Sequence, residues 1–398
     1  MSANRHGYLS MLFVVGLLVF QSSTLWATPS VAVGSCRPAL PSYTTLAAAI
    51  AGAPDGGTIL VCPGSYPEQL TIGKTVTING ISSGNSGEPA IVPPVAGLAW
   101  NATAYAVSSG FVYARALAAQ IVVSPGATVN FNNITIDGTN NNVADCGPLV
   151  IGIYFPDSAG SVNRVAFRNQ TANCYFNGFA GTMEYPQGDG VLVQSDNTFP
   201  ANVSVLNSSF HNAGWMAVHA DGAGATVAIK NNTAIGPGIT YGNGILVESG
   251  ANASSVSNNF ESNYLLNGQP TGFWGILLNG CAGNTVLSSN VISNSAAGIV
   301  ATCSGNSIIS NKIFTSSGDG IQVCGSNNVV QNNIVNDSGG SGINLVQGCA
   351  DQNNLVTGNI VNSACTGLLA GTDAISNTLS PNSLFNVKFL LLSGSSCS

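Results

Sequence analysis

The sequence predicts an all-β parallel solenoid, and three observations carry that prediction. A short segment of a small residue followed by β-branched and aliphatic residues recurs down the chain. Its copies are separated by a nearly constant step. Gly, Asn and Ser break every copy, and charge is almost absent. Of 398 residues, 6% are charged and 45% hydrophobic, which excludes a disordered chain. The 48 glycines follow no Gly-X-Y period, which excludes collagen. A net charge of -7 argues against nucleic acid, whose phosphates need clustered Lys and Arg.

The chain opens on a basic residue, Arg5, and an apolar run over 11–20, with a Leu-Trp-Ala cleavage site ending at Ala27. Residues 1–27 are therefore expected to be a signal peptide, too short in its apolar run to span a bilayer. Residues 28–398 are expected to form one domain. It is divided into an N-terminal cap and first coil (36–80), a large insertion (138–189) and a C-terminal tail (381–398).

The small residues of the repeat are Gly190, Ala217, Gly244, Gly275, Gly298, Gly320, Gly342 and Gly367. Their steps are 27, 27, 31, 23, 22, 22 and 25. A second element follows each, as in 286–294, 308–314, 329–335 and 355–361. β-Branched residues between Gly, Asn and Ser are strand-and-turn chemistry rather than helix. A unit this short cannot bury its apolar face alone, but stacked copies can. Asn tolerates left-handed turns, and stacked Asn side chains can hydrogen-bond from coil to coil. Charges stacked one coil apart would repel, which accounts for their scarcity.

All ten cysteines follow residue 27, and an even number in an exported chain reads as disulfides. Cys281, Cys303, Cys324 and Cys349 are spaced near the coil step. A rise near 4.8 Å falls within the Cα separation of a disulfide, about 4.4–6.8 Å. The expected bridges are Cys281–Cys303 and Cys324–Cys349, with Cys36–Cys62, Cys146–Cys174 and Cys365–Cys397 by sequence proximity.

The stretch 43–80 places an apolar helical stripe, Leu46, Ala49 and Ile50, before strand-like segments and the element Gly64-Ser65-Tyr66-Pro67-Glu68. With the repeats, it resembles the right-handed parallel β-helix proteins, the pectin-lyase-like superfamily, over residues 36–385. The resemblance implies a right-handed parallel β-helix whose open end is closed by a short N-terminal capping helix. The Gly64–Glu68 element is similar to one in pectin methylesterases, but their later motifs are absent, so it reads as first-coil architecture. The Asp-Asp pair and Gly-His-Gly of polygalacturonases and the Asp-Pro-His of alginate epimerases are also absent. Asp189 and Asp319, each between glycines, read as turn residues.

Numbering from each small residue, positions +1 and +3 alternate with the rest and point inward, so +2 and +4 point out. Gln194, Asp221, Glu248 and Asn279 stand at +4, and His219 stands at +2. On adjacent strands these oxygens suit Ca²⁺. The same coils carry the longest turns, with Tyr185, Trp215 and Trp274 as candidates to stack on sugar rings. These residues point to a secreted, extracellular or periplasmic, monomeric protein that binds an acidic polysaccharide. By one reading it cleaves the polysaccharide by β-elimination. His219 is then the candidate base, Tyr241 and Arg168 are in reserve, and Ca²⁺ neutralises the uronate. A non-catalytic glycan-binding protein and a purely structural solenoid are the alternatives.

Overall fold

The computed structural model describes residues 30–82, 87–104, 115–144, 148–177, 182–196, 199–237, 242–264, 274–349, 351–372, 374 and 376–393. Short β-branched segments separated by Asn and Gly turns form three strands per coil. A first row holds Asp189–Gln194, Met216–Asp221, Asn243–Glu248, Trp274–Asn279 and Ala297–Ala301. A second row holds Ala201–Leu206, Ala225–Lys230 and Asn252–Ser257, and a third holds Ser209–His211, Thr233–Ile235 and Phe260–Tyr264. The second row builds a 13-stranded sheet, and the first and third rows join in a 22-stranded sheet. Successive coils pair in parallel, residue for residue, as in Val191↔Val218 and Val218↔Ile245. The fold is a right-handed parallel β-helix.

The core lies inside the coils. Val191, Val193, Val218, Ile245, Val247, Ile276 and Leu278 are buried in one apolar cluster, as positions +1 and +3 predict. Burying each side chain of this size contributes about 1.5–3 kcal/mol. A second interior feature is a ladder of amides running from Asn232 to Asn382. Each Nδ2 donates to the next Oδ1, as from Asn290 to Asn311 (2.9 Å) and from Asn311 to Asn333 (3.0 Å). Asn207 and Asn231 occupy left-handed turns at φ 50° and 58°, a conformation Asn accepts more readily than most residues.

The N-terminal end is closed by the helix Leu46–Gly52, whose Leu46, Ala49 and Ile50 are buried as expected. Thr45 caps it, accepting from Ala48 N at 3.1 Å. Glu68 takes the next two amides, Leu46 N at 2.7 Å and Ala47 N at 2.9 Å. Lys74 Nζ donates to Ala53 O at 2.8 Å at the other end. Tyr66 is buried and donates to Cys62 O at 2.7 Å. The Gly64–Glu68 element is thus a clamp on the capping helix.

Two expected boundaries are corrected. Residues 138–189 are not one insertion. Leu149–Pro156, Ala159–Asn163 and Ala166–Arg168 form a regular coil in register with the next. Among the described residues, the antiparallel hairpin of Ala172–Asn177 and Thr182–Gln187 leaves the stack. Of the expected tail, Ser383–Ser393 is no tail but a final strand, paired in parallel with Ile360–Ala370, and 394–398 lies outside the described residues.

Bridges Cys36–Cys62, Cys281–Cys303 and Cys324–Cys349 are formed, with Cα separations of 5.7, 5.7 and 5.1 Å. Cys365 is disulfide-bonded. Cys146, Cys397 and the side chain of Cys174 lie outside the described residues, as does the 1–27 segment. Such bridging fits an oxidising compartment outside the cytoplasm. Among the described residues, no helix is long and apolar enough to cross a membrane.

Candidate functional site

The outer side of the first row carries the candidate site. The repeat residue itself points inward. A Cβ added at Gly190 would lie 2.5 Å from the Phe210 ring, and Ala217 joins the core cluster. Two successive inward residues break the two-residue period. The residue before the glycine therefore joins +2 and +4 on the outer face. Asp189, read from sequence as a turn residue, stands there and is fully buried.

His219 lies between two carboxylates. Its Nδ1 is 3.3 Å from Asp189 Oδ2 and its Nε2 is 3.1 Å from Glu248 Oε1. Burial alone would lower the imidazole pKa. Hydrogen bonds to Asp189 and Glu248, with their charges, outweigh it and raise the pKa to about 10. Burial would raise the Glu248 carboxyl. The hydrogen bond and charge of His219, with a hydrogen bond from Asn279, outweigh it and hold the carboxyl below its usual value. His219 is therefore an imidazolium at neutral pH, with both nitrogens engaged and 8% of its surface exposed. That state suits a positioning cation, and it leaves no lone pair for a general base.

The +4 file is aligned as expected: Gln194, Asp221, Glu248 and Asn279 are direct neighbours on successive strands. Asp221, Glu248 and His219 share one face. The amides, however, turn their N–H groups to the acids. Gln194 Nε2 donates to Asp221 Oδ2 at 2.7 Å while its Oε1 accepts from Tyr154 Oη at 2.8 Å. Asn279 Nδ2 approaches Glu248 Oε2 at 3.4 Å. Donors thus stand where a cation would. Among the described residues, no group of three or more His, Cys, Asp or Glu could hold a metal ion. The calcium expectation does not fit this donor set.

Arg168 is exposed on Ala166–Arg168, a third-row strand paired with Thr135–Asp137 and Ser209–His211. It stands in a different row from His219, and the structure does not bring the two together. Tyr241 and the side chain of Tyr185 lie outside the described residues. Trp215 packs against outward apolar clusters that include Met216 and Leu192. Trp274 packs against the cluster of Met216, Leu246, Leu277, Ala297 and Val300.

Trp274 also borders an open cleft of about 310 Å³, lined by Leu277, Asn279, Val300, Thr302, Gln322, Cys324 and Val346. These are +2 and +4 positions of successive coils, so the cleft runs along the solenoid axis. Glu248 reaches its end through Asn279, and Thr302 Oγ1 continues the polar rim to Asn279 Oδ1 at 3.3 Å. Val300, Thr302 and Gln322 were not singled out from sequence as binding residues, although the register places them. Tyr154 belongs to the coil marked by Gly152, which lies inside the 138–189 stretch and breaks the counted repeat step, so the sequence register does not reach it.

The family profile described as the right handed beta helix region matches residues 217–384. The matched residues lie within the right-handed parallel β-helix described above. Among solved structures, the β-helix is similar to a lacto-N-biosidase from Eubacterium ramulus. The TM-score is 0.52 at 12% identity, covering 89% of this chain and 68% of that one. A periplasmic alginate epimerase has TM-score 0.42 at 12% identity, covering 85% and 77%. A pectin methylesterase in complex with a hexasaccharide has TM-score 0.37 at 16% identity, covering 66% and 79%. All three are named for action on carbohydrates, and at these identities the likeness shows the fold alone. No curated protein matches the β-helix chain.

Proposed function

We propose that this protein is an exported glycan-binding β-helix that holds a polysaccharide along the first-row cleft. The observation that carries the reading is the cleft itself. Its floor is Leu277 and Val300, Trp274 offers an aromatic surface, and Asn279, Thr302 and Gln322 supply hydrogen-bonding groups. Apolar faces with polar edges are what a sugar ring presents, and aromatic side chains with polar neighbours complement them. No Lys or Arg lines the cleft, and the carboxylate of Glu248 stands at its end. An uncharged, hydroxyl-rich glycan therefore fits better than a polyuronate.

Binding without cleavage is the reading best supported. His219 is committed to two carboxylates and cannot take a C5 proton. The test is calorimetric titration with a panel of neutral and uronate polysaccharides, with and without a chelator. The products are followed by ultraviolet absorbance and reducing ends. Chelator-insensitive binding of a neutral glycan with no product supports the proposal. Absence of binding, or appearance of unsaturated product, overturns it.

A further inference from the structure

Glu261 has no part in the outer site. It sits in the third row on Phe260–Tyr264, in the inward file of Phe210, Ala234, Ile292 and Ile313. Only 1% of its surface is exposed. Neither carboxyl oxygen has a hydrogen-bond partner. The side chain borders a small internal void lined by Phe210, Ala217, Ala234, Ile245, Asn232 and Asn259, among others. It lies against the backbone at Gly244, where any added Cβ would collide with Oε2. The missing side chain at 244 is thus what makes room for the carboxyl.

An isolated ionised carboxylate in such a place would cost far more than folding could return. We propose that Glu261 is a proton-binding site built into the solenoid core, neutral in the folded protein and released only by loosening the coils around it. The groups facing it from every packed strand are apolar or amide. The titratable residues of those strands, His211, His219, Asp221, Lys230 and Glu248, stand on the outer side. Burial, as the sole cause, pushes the carboxyl well above its ordinary 4.5. Gly244 and Ile245 share their strand with Glu248, so loosening around Glu261 loosens the outer site as well. The inference is independent of what the cleft binds.

The sign follows from proton counting. Above about 4.5 the unfolded chain has lost this proton and the folded chain keeps it, so stability falls as pH rises until the folded group titrates. His219 and Glu248 add their own slopes near 6.5 and 4.5, but these are common to the wild type and the Glu261 variants, so the difference between them belongs to Glu261. Urea unfolding of the full chain is measured at pH 5 and pH 6 for the wild type, Glu261→Gln and Glu261→Met. The wild-type unfolding constant should rise about tenfold relative to either variant. Parallel pH dependence in all three overturns the proposal. Infrared spectra of ¹³C-glutamate-labelled wild type need no variant. A protonated carboxylic carbonyl band at pH 7 is expected, and its absence overturns the proposal.

Discussion

The coils over 189–264 and those over 290–382 solve the same problem in opposite ways. Both must satisfy polar groups packed between successive coils. The amide ladder starts at Asn232 and Asn259 of the earlier coils and becomes the dominant device in the later ones. Asn290, Asn311, Asn333 and Asn359 each donate to the next and accept from the one before, and the unit repeats without limit. The earlier coils place Asp189, His219, Asp221, Glu248 and Glu261 on or inside neighbouring strands. Like charges about 4.8 Å apart repel, so neighbouring acids such as Asp221 and Glu248 need their own partners, Gln194 and His219. Such residues must be paired across strands, as His219 is, or kept neutral, as Glu261 is. The regular half carries most of the open cleft on a repeated apolar and amide surface, and the irregular half, with its long turns, carries the ionic cluster.

Breaking the ionic arrangement should have the largest effect. His219→Ala leaves Asp189 and Glu248 facing each other without their cation, and should cost about 3–5 kcal/mol in urea unfolding. The same contact predicts a pH response. Stability from the raised His219 pKa is complete below 6.5 and is lost as pH rises through about 10. Glu248, held low, adds stability above its ordinary 4.5 that is lost on acidification. His219→Ala should flatten the alkaline limb.

Reduction probes the regular half. Cys281–Cys303 and Cys324–Cys349 close separations of 22 and 25 residues. Removing either bridge by paired Cys→Ser substitution should lower stability by about 3–4 kcal/mol in the chain-entropy model. A smaller loss is expected from Asn311→Ala, which strips the acceptor from Asn290 and the donor to Leu287 O. Orphaning a buried polar group costs about 1–3 kcal/mol. Thermal melts of that variant should show no pH dependence beyond the wild type's, unlike those of His219→Ala.

The solenoid was legible because stacking forces every coil to repeat the same chemistry, and the register of Asp221, Glu248 and Asn279 followed from it. What the register could not show was the double inward step at Gly190 and Ala217. Strict alternation turns Asp189 and Trp274 inward, whereas the step turns them out. Nor does sequence reveal which end of an amide faces a carboxylate. Gln194 and Asn279 present N–H groups, and that removes the calcium cage their oxygens suggested. Glu261 carried a signal that went unused, since its aligned positions are Phe210, Ala234 and Ile292.

The claim that the first-row cleft binds glycan rests most directly on Trp274. Trp100, 66% exposed in the early coils and absent from the cleft, is its control. Calorimetric titration of the best-binding neutral oligosaccharide should show Trp274→Ala weakened about tenfold, near 1.4 kcal/mol, with Trp100→Ala unchanged. Equal affinity of Trp274→Ala and wild type would contradict the assignment of the cleft.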